Sequence, residues 1–234
     1  MVWLFRVFSR QAKKNGGNGW SQLNYFFRWK KSLDKNASSV KDEQPWITFK
    51  AIDYLKKNVT DQFNVFEYGG GGSTLFFVKR AKEVITVEHN EEWFGILSGM
   101  MVQKNYRNWK GNFIKAQDGD YVNAPDKVNP DHYSSGDIPS KGMNYHNYAS
   151  AIDAYPENYF DIVLVDGRSR PSCMKHALPK IKKGGLLILD NSDRDYYLTF
   201  FKKILNEQFL TVLDEVGPGP YSMDFSKTSI WKKK

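Results

Sequence analysis

Five short apolar runs punctuate the chain, and a stretch with helical spacing follows each of them. The runs are NVFEY (64–68), EVITVEH (83–89), NFIKA (112–116), FDIVLVD (160–166) and GLLILD (185–190). The helical stretches are Ser73–Ala81, Glu91–Lys104, Tyr145–Ala154, Ser172–Lys182 and Arg194–Asn206. Such alternation points to a parallel sheet, because each return to the same strand direction needs a crossover. Runs such as IVLV and LLIL have no polar alternate positions, so they fit strands covered on both faces. FLTVLDEV (209–216) and KTSIW (227–231) follow without a helix between them and read as an antiparallel hairpin. The expected fold class is α/β, a three-layer, doubly wound and mostly parallel sheet with a C-terminal antiparallel hairpin. A helix near Pro45, with Ile47, Ala51, Ile52 and Leu55 at helical spacing, opens this domain.

Residues 1–44 read as a basic N-terminal extension to a domain spanning 45–234. Arg6, Arg10, Lys13, Lys14, Arg28, Lys30 and Lys31 crowd this stretch, and the whole chain carries a net charge of +8. MVWLFRVFSR is too short and too interrupted to be a signal core or a membrane span. Trp3, Leu4, Phe5, Val7 and Phe8 interleave with Arg6 and Arg10, which suits weak contact with a membrane surface. The single cysteine, Cys173, excludes an intrachain disulfide and fits a reducing, cytoplasmic setting. Residues 119–144 carry three prolines and no periodicity, and are expected to form a mobile lid or substrate loop.

The glycines at 69–72 fall directly after the first run. In an open parallel sheet, ligands bind beyond the carboxyl ends of the strands, near the point where strand order reverses. A dinucleotide fingerprint fails here: counted from Gly69 the third glycine falls on Thr74, and from Gly70 on Leu75. No phosphate-binding G-x-x-x-x-G-K-[ST] is present either. The pattern that fits is acid-x-G-x-G-x-small, with Glu67, Gly69, Gly71 and Ser73. An acid before the glycines repels a pyrophosphate and suits a cationic ligand such as S-adenosylmethionine. Glu88, at the end of the second run, can accept hydrogen bonds from a ribose diol. These residues also have structural readings: Glu67 as a helix cap, Asp118 as a turn residue, and Asp190-Asn191-Ser192 as an N-cap.

From about Pro45 to Trp231 the chain resembles the class I S-adenosylmethionine-dependent methyltransferases. EYGGGGST, with Glu67, Gly69, Gly70, Gly71, Ser73 and Thr74, is similar to their first motif. VEH, with Glu88 and His89, looks like the ribose-binding segment, and AQDGD, with Asp118 and Gly119, like the segment that reaches adenine. FDIVLVDG and GGLLILDN look like the fourth and fifth strands, with active-site ends at Asp166 and Asp190. The resemblance implies methyl transfer at oxygen to a small-molecule acceptor of saccharide or secondary-metabolite type. It makes Asp166 and Asp190 the catalytic candidates and Arg168, Arg170, Asn191 and Tyr148 the substrate candidates.

Asp166 with Asp190-Asn191 also resembles the magnesium ligands of the catechol O-methyltransferase type, which makes a divalent metal a candidate cofactor. Ser169 stands where that type carries a lysine base, and the flanking Arg168 and Arg170 suit an anionic substrate group. Three alternatives stand beside this reading. An aminopropyltransferase of the spermidine synthase type shares the glycine turn, but Arg170 replaces its second acid. A nucleic-acid methyltransferase would use the basic ends of the chain, yet the Asn/Asp-Pro-Pro-aromatic motif of many base methylases is missing. A binding module that keeps the fold without catalysis is the third.

Overall fold

The computed structural model describes residues 2–14, 22–119 and 125–234. The chain begins with α1 (Val2–Lys14), α2 (Phe26–Ser32) and α3 (Phe49–Asn58). The alternating part follows as β1 (Asn64–Tyr68), α4 (Gly72–Val78), β2 (Glu83–Glu88), α5 (Glu91–Gln103) and β3 (Trp109–Phe113). After the short strands β4 (Gln117–Asp118) and β5 (Met143–Asn144) come α6 (His146–Ala149), β6 (Phe160–Val165), α7 (Arg170–Ala177) and β7 (Ile181–Asp190). The chain closes with α8 (Lys202–Gln208), β8 (Phe209–Gly217) and β9 (Ser226–Lys233).

Seven strands form the main sheet in the order β3-β2-β1-β6-β7-β9-β8. The pairs from β3 to β7 are parallel, and β9 runs antiparallel between β7 and β8. Strand order reverses between β1 and β6, which sets the glycine turn after β1 beside the end of β6. The pleat sends alternate residues into separate cores. Val65, Ile162, Leu164 and Ile188 join the core under α1–α5, while Phe66, Val163, Leu187 and Leu189 join the core under α6–α8.

The third strand lies earlier than expected, at Trp109–Phe113 instead of 112–116. It is an edge strand with alternating burial, so its sequence is too polar to stand out as an apolar run. Trp109 fixes the register by donating its Nε1 proton to Thr86 Oγ1 at 2.9 Å.

The stretch expected as an extension packs into the same core as the sheet. Phe8 and Trp29 are completely buried, and Phe8 sets its ring edge-on to Phe26, Trp29 and Phe225 at 5.0–5.5 Å. A boundary at 44/45 therefore separates elements but not cores. The link into the domain is also made by backbone. A Cβ on Gly72 would collide with the carbonyl oxygens of Ser39 and Gln44. Gly72→Ala should therefore lower stability by about 1–3 kcal/mol, the usual cost of forcing extra volume into a packed site. Chemical denaturation checks this, and an unchanged midpoint would mean that the 39–44 segment moves freely.

The expected loop at 119–144 is more structured than its sequence suggests, although 120–124 lie outside the described residues. Its ends pair as the two-stranded β4–β5 ribbon, and a 3₁₀ turn spans Ile138–Ser140. Lys175 pairs with Asp131, Tyr133 Oη lies 3.2 Å from His176 Nε2, and Arg168 Nη1 lies 3.5 Å from Asp137. These contacts replace the periodicity that the stretch lacks.

Candidate active site

The candidate residues gather at the carboxyl ends of β1, β2, β6 and β7. Gly69 has φ +87°, in the left-handed region that favours glycine, and a Cβ there would sit 3.1 Å from the Gly167 Cα. The turn after β1 thus touches the residue that follows Asp166. Gly71 faces open space, with only the Trp93 ring near an added Cβ, at 3.9 Å. That is a cradle in which a ligand can meet backbone directly. Trp93 Nε1 donates to the Gly70 carbonyl at 2.7 Å and holds the turn from outside.

Glu88 is only 4% exposed. Its carboxylate accepts from the backbone N–H groups of Gly70 at 3.0 Å and of His89 and Asn90 at 2.8 Å. Burial works against its charge, yet the bonds from His89, Asn90 and Gly70 hold its pKa below the ordinary carboxylate value. An ionised acceptor thus stands next to the cradle. His89 sets Nδ1 2.8 Å from the same carboxylate and accepts from Arg168 Nε at 3.4 Å. Asp118 is exposed on the β4 edge, and Gly119 donates its N–H to the Gly142 carbonyl at 2.7 Å.

Glu67 departs from expectation. It is fully buried and accepts from the hydroxyls of Ser73 and Thr86, each at 2.8 Å. Burial pushes its pKa up to about 7, against the lowering effect of the Thr74, Ser73 and Thr86 hydroxyls. Glu67 therefore braces the glycine turn from behind instead of facing a cationic ligand. Ser73 and Thr74 belong to the same brace, since Thr74 Oγ1 accepts from the Gly71 N–H at 2.9 Å.

Asp166 follows β6, and Asp190 ends β7, so neighbouring parallel strands set the two carboxylates together. The Arg170 guanidinium fills the space between these strand ends. It donates to the Asp166 carboxylate at 2.9 Å, to the Asp166 and Gly167 carbonyls at 3.2 and 3.1 Å, and to the Asp190 carbonyl. Thr228 donates its hydroxyl to Asp190 Oδ1 at 2.8 Å. Burial and the facing Asp190 push the Asp166 pKa up to about 8, and burial raises that of Asp190 as well. Burial also opposes the charge on Arg170, but Asp166, Tyr197 and Asp190 keep its pKa above the ordinary value. The pair of acids and its guanidinium therefore retain a proton near neutrality.

Two expectations are corrected by this arrangement. Arg168 and Arg170 do not converge on one anionic group, because Arg170 is buried in the strand ends and Arg168 turns to His89 and Asp137. Tyr148, expected near the substrate, is 1% exposed and lies under the turn, where a Cβ on Gly167 would strike its hydroxyl. The donor set also fits a divalent metal poorly. A guanidinium already holds Asp166, and among the described residues no group of three or more His, Cys, Asp or Glu is placed to hold a metal ion.

A cavity of about 450 Å³ opens in front of this pair, lined by Asp166, Asp190 and Asn191 together with Trp46, Ser222 and Asp224. The last three are absent from the sequence-based candidates. The one signal for Ser222 and Asp224 is GPGPYSMD (217–224), which is longer than a strand connection needs. The lining carries three carboxyl groups and no basic side chain among the described residues, and the Arg170 guanidinium is engaged by Asp166.

No family sequence profile matches the chain, and no characterised protein matches it in sequence. Solved structures do match in fold. An O-methyltransferase from Bacillus cereus in complex with SAH aligns with 100% of this chain and 91% of its own, at 15% identity and a TM-score of 0.55. A protein from Streptococcus mutans, assigned as a methyltransferase and also solved with SAH, covers 78% of this chain and 94% of its own at 13% identity and 0.53. An rRNA methylase from Streptococcus thermophilus covers 77% and 92% at 15% identity and 0.50. The chain has the class I methyltransferase fold.

Proposed function

We propose that the protein transfers a methyl group from S-adenosylmethionine to a hydroxyl of a small molecule held in the cavity beside Asp166. The observation that carries this reading is the contact between Gly69 and Gly167, which joins the glycine cradle to the residue after Asp166. When bound, S-adenosylmethionine supplies an electrophilic methyl group on a sulfonium. Glu88 would hold its ribose, and Gly71 offers backbone without a side chain in the way. Asp118 and Gly119 would border the adenine. The acceptor oxygen forms a bond to the methyl carbon as the carbon–sulfur bond breaks, and Asp166 takes the hydroxyl proton. Asp190 and Arg170 set the charge state of Asp166 and orient it.

The lining supports a small acceptor over a nucleic acid, since it sets Asp224 beside the Asp166–Asp190 pair and includes no basic side chain among the described residues to meet a phosphate chain. The same lining also favours an amine as the accepting group, and paired amine and alcohol acceptors of equal shape separate these two readings. The first experiment is calorimetry with S-adenosylmethionine and SAH, followed by SAH release in the presence of acceptor panels. Failure to bind either cofactor would end the methyltransferase reading.

Glu88→Ala should weaken SAH binding by roughly 1–3 kcal/mol, about 5- to 150-fold, because buried donors lose their charged acceptor. Calorimetry on the variant measures this directly. Equal affinity in native and variant protein would remove Glu88 from the ribose site.

A further inference from the structure

Of the interleaved apolar residues of α1 expected to meet a membrane, the fold turns Leu4, Val7 and Phe8 towards the core and leaves Trp3 and Phe5 exposed. Phe8 and Ala12 are buried, and Leu4 and Val7 pack against the same core. What remains outside is a different surface. Arg6, Arg10, Lys13 and Lys14 are spaced i, i+4, i+7 and i+8 and all are exposed, so they form one face of α1. The helix contains no acidic residue, and among the described residues none of these four cations has a carboxylate partner. Trp3 lies on the edge of this face and is 60% exposed, with Val2 at 65% beside it. The aromatic contacts of Phe8 pack the opposite side of the helix onto the core and so present this face outwards.

A second element extends the surface. Phe27 of α2 is 74% exposed, and an open trough of about 1020 Å³ runs past Leu4, Phe27, Lys30, Lys31 and Met223. Lys30 and Lys31 line the same trough as the exposed Phe27 and Met223, so cations and solvent-facing apolar side chains meet there. We propose that α1 and α2 form a docking face for an anionic phospholipid bilayer. Arg6, Arg10, Lys13 and Lys14 meet the headgroup charge, while Val2, Trp3 and Phe27 enter the interfacial layer. Asp34 and Asp42, which also line the trough, suit the ammonium of a headgroup, a group that the phosphodiester chain of an RNA lacks. The trough meets the acceptor cavity across one loop, because Met223 borders the first and Ser222 the second. Docking therefore brings the cavity close to the bilayer.

The test is sedimentation of the full chain with vesicles of phosphatidylcholine alone or of an equimolar mixture with phosphatidylserine. The native protein should bind the mixed vesicles at least about 10-fold more tightly, with binding that weakens as salt rises. Arg6→Glu with Arg10→Glu should reduce that binding on the order of 20-fold or more, at about fivefold for each cation removed. Trp3→Ser with Phe27→Ser should reduce binding to the mixed vesicles while keeping the salt dependence. If the first double variant melts early, Lys13→Glu with Lys14→Glu at the helix end gives the same reading. Equal binding to both vesicle types, or no binding, overturns the proposal. So does mixed-vesicle binding that survives charge reversal, or tight binding to a single-stranded RNA that vesicles fail to displace.

Discussion

Asp166→Asn is expected to lower turnover by about 10²- to 10⁴-fold, the range supplied by a positioned general base, and to leave cofactor affinity nearly intact. The asparagine keeps the shape and can still meet Arg170, so the loss isolates the proton acceptor. The same role sets the pH profile. A base works only when ionised, and Asp166 is ionised above its pKa, which burial and the Asp190 charge push up to about 8. Turnover of the native protein should therefore be low in mild acid and rise with pH through that value. Asp190→Asn removes the facing charge and should move the rise to lower pH. Initial rates with a confirmed acceptor, taken across neutral and alkaline pH, measure both effects. Normal turnover by Asp166→Asn would leave alignment alone to carry the reaction.

Arg170→Ala is expected to cost about 3–5 kcal/mol of stability, the usual cost of stranding a buried charge by removing its partner. The guanidinium satisfies the carbonyls of Asp166, Gly167 and Asp190 as well as the Asp166 carboxylate, so alanine leaves all of them unpaired. The sign with pH follows from the two acids. Their folded pKa values are already raised, and losing Arg170 raises them further. The variant therefore keeps its stability below the ordinary carboxylate pKa and loses it as pH rises through the folded values. Urea titrations at acid and alkaline pH should show a larger deficit at alkaline pH. Adding Asp166→Asn to Arg170→Ala should recover part of it, because one stranded charge is then absent. A deficit that does not change with pH would assign the loss to packing alone.

What could be read from the sequence follows burial. Strands β1, β2, β6 and β7 are buried on both faces along most of their length, so their runs are dominated by apolar residues and stand out. The place of Glu88 at the end of a buried strand was legible from its run, whereas the three backbone N–H groups that it accepts from were not. Edge strand β3 was displaced by three residues because its alternation includes Lys110 and Asn112. Phe8, Phe26 and Trp29 were hidden in a basic, polar stretch whose average conceals a one-sided helix. Arg170 was legible as a charge but not as a buried one. Its partners are carbonyls and a carboxylate brought together by strand pairing, and no local pattern encodes that. Trp46 and Asp224 meet across 178 positions of sequence, a convergence that only the folded chain supplies.

Trp29 Nε1 donates to the Ser222 carbonyl at 2.7 Å, and Phe8 packs on Phe225. The loop that walls the proposed acceptor cavity is thus moulded on the first two helices, while the glycine cradle and Glu88 draw nothing from Phe8 or Trp29. On the proposed reading, donor and acceptor recognition are separately heritable. On that reading, a lineage that exchanges α1 and α2 but keeps the 39–44 backbone packed on Gly72 reshapes the wall through residues 222–225 and leaves the donor side in place. Chimeras that swap only these two helices between proteins of the same fold are the natural means of redirecting specificity.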